Sequence, residues 1–145
     1  MTRRMTLSAL ALAGVFLALY LTLYKLGYVG HLACGTGECE QVQLSKWSTL
    51  FGLPVAAWGC AFYAAVFVVA TAGTTERWAE HRAPSVVLVA LTGWGVLFSG
   101  WLTWLEIAEI HAICRYCVGS AVLTCALFAV SLLDLRDFRA VAPER

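Results

Sequence analysis

The sequence predicts an all-α membrane protein, a four-transmembrane-helix bundle with a short outer-surface amphipathic helix between helices 1 and 2. Two observations carry this reading. Of 145 residues, 61% are hydrophobic and only 13% charged, and the mean hydropathy is +0.77. A soluble domain carries about twice that charge, roughly 25%. Four long apolar segments also stand out, at about 5–26, 53–73, 85–105 and 114–133. Each has roughly 20 residues, which at ~1.5 Å per residue gives ~30 Å of helix, the thickness of the hydrocarbon core. In lipid the backbone must satisfy its own hydrogen bonds, which selects helices. The length fits a single domain, 1–145, and a net charge of +1 without a basic cluster excludes a nucleic-acid footprint.

The first span is apolar apart from small hydroxyls and Lys25 near its end. It reads as a retained helix, because the run is long for a signal-peptide core and no small-residue cleavage site follows it. The 27–52 stretch is too long for a plain connector. Its first part, GYVGHLACGTGEC, contains four glycines and reads as a mobile loop. In its second part, EQVQLSKWSTLF, the residues Leu44, Trp47, Leu50 and Phe51 recur at roughly helical spacing between polar neighbours. That pattern fits a surface helix with its Trp at interfacial depth, either a simple anchor or a lid over a buried site. Gly52-Leu53-Pro54 then turns the chain into the second span, since Pro suits a first helical turn. Spans two and three carry no charge and are joined by TTERWAEHRAP at 74–84. A short 106–113 connection, holding Glu106, Glu109 and His111, leads to the fourth span at Cys114.

With four spans both termini share a side. That side holds Arg3, Arg4, Arg77, Arg82, Arg136, Arg139 and Arg145, against Lys25, Lys46 and Arg115 on the other. The basic excess places the termini and the 74–84 loop in the cytoplasm. The 27–52 loop and the 106–113 connection then face outward. Cys34, Cys39, Cys114 and Cys117 thus gather on the outer face, where disulfides form and persist.

Cys114 and Cys117, in CRYC, share one face at the start of the fourth helix. Unpaired amides and the helix dipole favour thiolate there, and Arg115 adds a positive charge nearby. The pattern fits a redox pair; a static disulfide or half of a zinc site uses the same residue types. Cys34 and Cys39 enclose Gly-Thr-Gly-Glu. Such a loop can swing, and thiol–disulfide exchange needs a thiolate that reaches a sulfur in another pair. A loop-stabilising disulfide is the alternative. Cys60 and Cys125 lie inside spans two and four and read as small apolar residues. His111, one turn before Cys114, is placed either to move protons or simply to sit hydrated at the interface. The aromatics Trp94, Trp101, Trp104, Tyr63 and Tyr116 fit packing and anchoring, and equally a planar ligand.

The order of a loop cysteine pair, a surface helix with a Ser, a GLP turn and CxxC on the last helix resembles the vitamin K epoxide reductase family. The resemblance covers about residues 5–135. It rests on Cys34, Cys39, Ser45, Trp47, Phe51-Gly52-Leu53-Pro54, the GCAFY run from Gly59 to Tyr63, and Cys114-Arg115-Tyr116-Cys117. It implies a four-helix bundle around a quinone, menaquinone or ubiquinone, and a partner of thioredoxin fold (DsbA-like) outside the cytoplasm. In that scheme Cys34 exchanges with the partner, Cys39 attacks Cys114, and Cys117 faces the quinone, with Ser45 and Phe51 also at the quinone pocket. No metal is implied. Two departures matter, the first for how far Cys39 must travel and the second for the substrate. The loop cysteines are closer together than in animal members, and Val55 and Ala121 stand where those members carry the Asn and Tyr that contact the vitamin. A plain quinone is therefore expected rather than vitamin K epoxide. No fused thioredoxin-like domain is expected after RDFRAVAPER, so the partner is a separate protein.

The expected activity is quinone-dependent thiol–disulfide oxidoreduction in a bacterial cytoplasmic membrane, supporting disulfide formation in exported proteins. Disulfide generators of the DsbB type place CxxC in the first outer loop; this chain has the reverse order. The remaining alternative is a non-enzymatic membrane protein with structural disulfides or a four-cysteine zinc site, distinguishable by thiol titration with and without a chelator.

Overall fold

In the computed structural model, helices α1 (Thr2–Lys25), α2 (Val55–Ala72), α3 (Ala83–Leu105) and α4 (Arg115–Val141) form the protein. The structure describes residues 2–25, 49–78, 81–110 and 115–141. All four helices are long and apolar enough to cross a membrane, so this is a multi-pass membrane protein. They pack antiparallel in ring order, each helix against the next and α4 back against α1.

Packing follows a seam with 3–4 residue spacing on every helix. On α1 the inward positions are Arg4, Leu7, Ala11, Gly14, Ala18 and Leu21; on α2, Tyr63, Val66 and Ala70. On α3 they are Ser85, Leu88, Thr92 and Gly95, and on α4, Thr124, Leu127, Ser131 and Asp134. This alternation of three and four is the knobs-into-holes geometry of helical bundles. Lipid supplies no hydrophobic drive between helices, so small residues and hydroxyls take the seam while Phe16, Val68, Trp94, Leu97 and Val122 point outward. Gly14 marks the closest approach. A Cβ there would collide with the Tyr63 ring, so α1 and α2 meet at this distance only with glycine.

The charges at the chain's N-terminal end are built into the bundle. The Arg4 side chain is 1% exposed, and its Nε donates to Asp134 Oδ2 at 3.3 Å. Its remaining donors reach the carbonyls of Gly73 (2.5 Å), Trp78 (3.1 Å) and His81 (3.0 Å) and the Ser85 hydroxyl (3.0 Å). Ser85 in turn donates to Asp134. One guanidinium thus ties α1, the loop after α2, α3 and α4 together, using the fixed fork of donors that arginine offers. Arg3 pairs with Asp137 at the exposed edge, 2.6 Å away.

Several boundaries differ from expectation. The first helix starts at Thr2, because Arg3 and Arg4 find partners on α4. The fourth runs to Val141 rather than stopping near 133, since Asp134 and Asp137 are held by those arginines and no Gly or Pro interrupts the stretch. The 106–113 connection is largely helical: α3 continues as a π-helical turn, Glu106–Ile110, through residues that favour helix. Glu106, expected in that connection, is buried. Leu44, Ser45 and Trp47 of the expected surface helix lie outside the described residues. At its predicted end the chain is extended: β1 (Thr49–Leu50) pairs antiparallel with β2 (Leu53–Pro54), Thr49 opposite Pro54 and Leu50 opposite Leu53. Phe51 and Gly52 form the two-residue turn, with φ of 54° and 81°. Both central residues with positive φ make the tight primed hairpin turn, for which glycine is suited and phenylalanine is not. Helix α2 begins directly after Pro54.

Candidate functional site

Cys117 sits in the first turn of α4, half-buried. The residue before it, Tyr116, packs its ring on Tyr20 of α1 with centroids 5.5 Å apart, which docks the start of α4 against α1. The hairpin and the π-helical turn lie at this same end of the bundle, because α1 and α3 finish where α2 and α4 begin. Phe51 projects from the hairpin turn, 87% exposed, with its ring edge-on to Trp58 of α2 at 6.4 Å. Cys34, Cys39, Ser45, His111 and Cys114 lie outside the described residues, as does the side chain of Arg115. The structure therefore brings Cys117 and Phe51 to one end of the bundle. Of the two other cysteines, Cys60 is a half-buried thiol on α2, whereas Cys125 is exposed on the outward face of α4 rather than buried.

Interior packing changes character partway along the bundle. From the Arg4 end up to Tyr63, Gly95 and Thr124, every helix contributes buried residues. Toward Cys117, α2 has no buried residue before Tyr63 and α4 none from Tyr116 to Leu123. On α3 none is buried from Val96 to Trp104. Only α1, through Ala18 and Leu21, and the α3 end, through Leu105 and Glu106, stay buried there among the described residues. Among the described residues, buried positions are thus concentrated in the half that holds Arg4 and are fewer in the half that holds Cys117.

The boundary between the halves is a cluster of hydroxyls. Tyr63, 1% exposed, reaches across the ring from α2 to α4. Its Oη lies 2.6 Å from Ser120 Oγ, 3.1 Å from Thr124 Oγ1 and 3.0 Å from the Ser120 carbonyl. Thr124 Oγ1 donates to that same carbonyl at 2.8 Å. Ser120 follows Cys117 by three residues, so thiol and hydroxyl share a face of α4 one turn apart. In the sequence Tyr63 stands out as an aromatic and as the end of the GCAFY run, whereas Ser120 and Thr124 do not stand out. The signal was the polar stripe Ser120, Thr124, Ser131 and Asp134, spaced by helical turns in an otherwise apolar span, which marks an interior face.

A half-open apolar space with aromatic walls and a few convergent polar atoms is the usual form of a small-molecule site. At this end of the bundle the Cys117 thiol lies one turn along α4 from the hydroxyl cluster of Tyr63, Ser120 and Thr124. That donor set fits a planar ligand with carbonyl oxygens on a ring, as a quinone has. The family model described as Vitamin K epoxide reductase family matches residues 5–132, nearly the full chain. The four membrane-crossing helices and the thiol at the head of the last agree with that match, and the chain belongs to the vitamin K epoxide reductase family, oxidoreductases that link disulfide chemistry to quinones.

Proposed function

We propose that this protein is a quinone-dependent thiol–disulfide oxidoreductase that reoxidises a separate thioredoxin-fold protein outside the cytoplasm. The supporting observation is the placement of Cys117 in the first turn of α4, one turn from the hydroxyl cluster of Tyr63, Ser120 and Thr124. The reading runs as a relay through Cys34–Cys39 and Cys114–Cys117. A thiolate of the reduced partner attacks the Cys34–Cys39 disulfide at Cys34, and Cys39 is released as thiolate. Cys39 attacks Cys114 of the second disulfide, forming one S–S bond as the Cys114–Cys117 bond breaks. The partner's second thiol attacks the mixed disulfide, forming the partner's own disulfide and releasing Cys34 as thiolate; Cys34 then attacks Cys39, re-forming Cys34–Cys39 and leaving Cys114 and Cys117 reduced. Bound membrane quinone, menaquinone or ubiquinone, supplies an acceptor for two electrons and two protons. Those electrons and protons leave the two thiols as their disulfide re-forms. The protein contributes proximity and orientation, with Cys117 on a helix end held to α1 by Tyr116. Phe51 and Ser45 belong to the quinone side of this scheme, and Glu106 is a buried carboxyl at the same end. The setting is a bacterial cytoplasmic membrane with both termini inside, as the arginine distribution favours. A single membrane domain spans the sequence.

The test is quinone reduction in membranes supplied with a reduced thioredoxin-fold protein. Wild type should turn over and Cys117→Ala should be inactive. Undiminished turnover in Cys117→Ala rules the relay out.

A further inference from the structure

The hydroxyl cluster contains more hydrogen-bonding capacity than packing requires, and its hydrogens can be assigned. Thr124 commits its hydrogen to the Ser120 carbonyl at 2.8 Å, so its Oγ1 meets Tyr63 as an acceptor. The Tyr63 hydrogen therefore goes either to Thr124 Oγ1 and the Ser120 carbonyl, 3.1 and 3.0 Å away, or to Ser120 Oγ at 2.6 Å. In the first arrangement the Ser120 hydroxyl donates to Tyr63 and leaves Oγ as an acceptor on its other side. In the second, Tyr63 donates to Ser120, whose own hydrogen is then free to be donated elsewhere. Rotation of two hydroxyls converts one arrangement into the other, with no proton leaving its oxygen. A serine in a helix ordinarily satisfies its hydroxyl on the carbonyl four residues back, as Thr124 does; Ser120 instead joins the cross-bundle cluster, where packing loosens toward Cys117.

We infer that Ser120 is the contact for a quinone ring oxygen, and that Tyr63 and Thr124 are positioning residues that let it donate to a carbonyl and accept from a hydroxyl. The inference rests on the quinone reading above and adds a residue to it. An acceptor ring has carbonyl oxygens before reduction and hydroxyls after it, so a contact of fixed polarity would favour one form over the other. A serine whose hydrogen can point either way serves both, and the buried phenol behind it supplies the matching partner in each case. Ala121, the next residue, has no polar atom, which leaves Ser120 as the hydroxyl of this α4 turn nearest Cys117 in sequence. Both thiol protons still come from Cys114 and Cys117, and the cluster keeps its own.

The experiment uses the full chain in lipid nanodiscs, with a short-chain ubiquinone isotopically labelled at its carbonyls and, in parallel, menadione. Infrared difference spectra should show a lowered carbonyl stretch in wild type, shifted back toward the free value in Ser120→Ala and in Tyr63→Phe, and restored in Ser120→Thr. Equilibrium binding of the same quinones should weaken about three- to tenfold in Ser120→Ala, the effect of one net hydrogen bond. Val122→Ala, on the exposed face of α4, should leave both readouts unchanged. A carbonyl stretch identical in wild type and Ser120→Ala overturns the contact while leaving the quinone reading standing. Failure of wild type to bind either quinone overturns the quinone reading, and the contact with it. Should Tyr63→Phe fold poorly by thermal unfolding, the Ser120→Ala and Ser120→Thr pair decides alone.

Discussion

Phe51 occupies a backbone conformation that costs a non-glycine residue roughly 1–2 kcal/mol, yet its ring lies mostly exposed at the end where Cys117 sits. Strain of this kind persists where the side chain serves something other than stability. Phe51→Asn should therefore raise the thermal midpoint, by about 1 kcal/mol of relieved strain, while lowering quinone turnover through loss of the ring. A variant that gains stability and keeps full turnover removes Phe51 from the site. At this scale the position of Cys117 at the head of α4 was legible because CxxC stands directly before an apolar span, and that of Phe51 because it sits in a distinctive turn motif. Ser120 and Thr124 were not, since a hydroxyl in a span reads as filler until its partner across the bundle is known.

Helix α1 is held at two places by different physics. At one end Arg4 closes a buried ion pair with Asp134 and collects carbonyls from the loop after α2. Halfway along, Gly14 lets the Tyr63 ring lie against the helix backbone. Removing one member of a buried pair strands the other, typically at about 3–5 kcal/mol. Asp134→Leu should accordingly lower the thermal midpoint sharply, and Arg4→Met combined with Asp134→Leu should recover much of the loss. Gly14→Val should cost about 1–3 kcal/mol by overpacking, and by pushing Tyr63 aside it should also weaken quinone binding. Both are checked by thermal unfolding in detergent, the second with a binding titration alongside. The helices themselves were legible from hydropathy, which responds to lipid contact. Their ends were not, because the termination of α1 and α4 is set by ion pairs between residues about 130 positions apart. The π-helical extension of α3 was hidden similarly, since a charged residue in EIAEI reads as the end of a span although Glu106 is buried.

As a whole, the molecule separates two tasks along the bundle axis. The half containing Arg4 has a continuous buried seam and supplies stability; the half containing Cys117 has fewer buried positions among the described residues and carries the candidate site. Hydrogen exchange should follow this division, with amides of α2 beyond Tyr63 and of α4 beyond Thr124 protected longest and those near Cys117 exchanging faster. The orientation in the membrane is testable separately. With Thr75→Cys placed in a protein whose native cysteines are replaced, a membrane-impermeant thiol reagent should label only from the cytoplasmic side, and a lone Cys34 only from the other. Labelling of both from one side contradicts the four-span topology. The fold class was legible because a chain this apolar has few alternatives, and the family resemblance because thiol order and turn motif travel together. The packing asymmetry was not, since it depends on which seam positions fill and which stay open.

The floor formed by Tyr63 has an electrical meaning. In the proposed relay thiol protons and electrons would be given up above it, and the densely packed half beneath would insulate that chemistry from the opposite leaflet. Charge would then enter and leave on one side only, making the proposed reaction electrically silent. Moving an elementary charge the full way across would couple turnover to voltage by about 2.3 kcal/mol per 100 mV. Sealed vesicles carrying an imposed potential of either sign should instead reduce quinone at the same rate as depolarised ones.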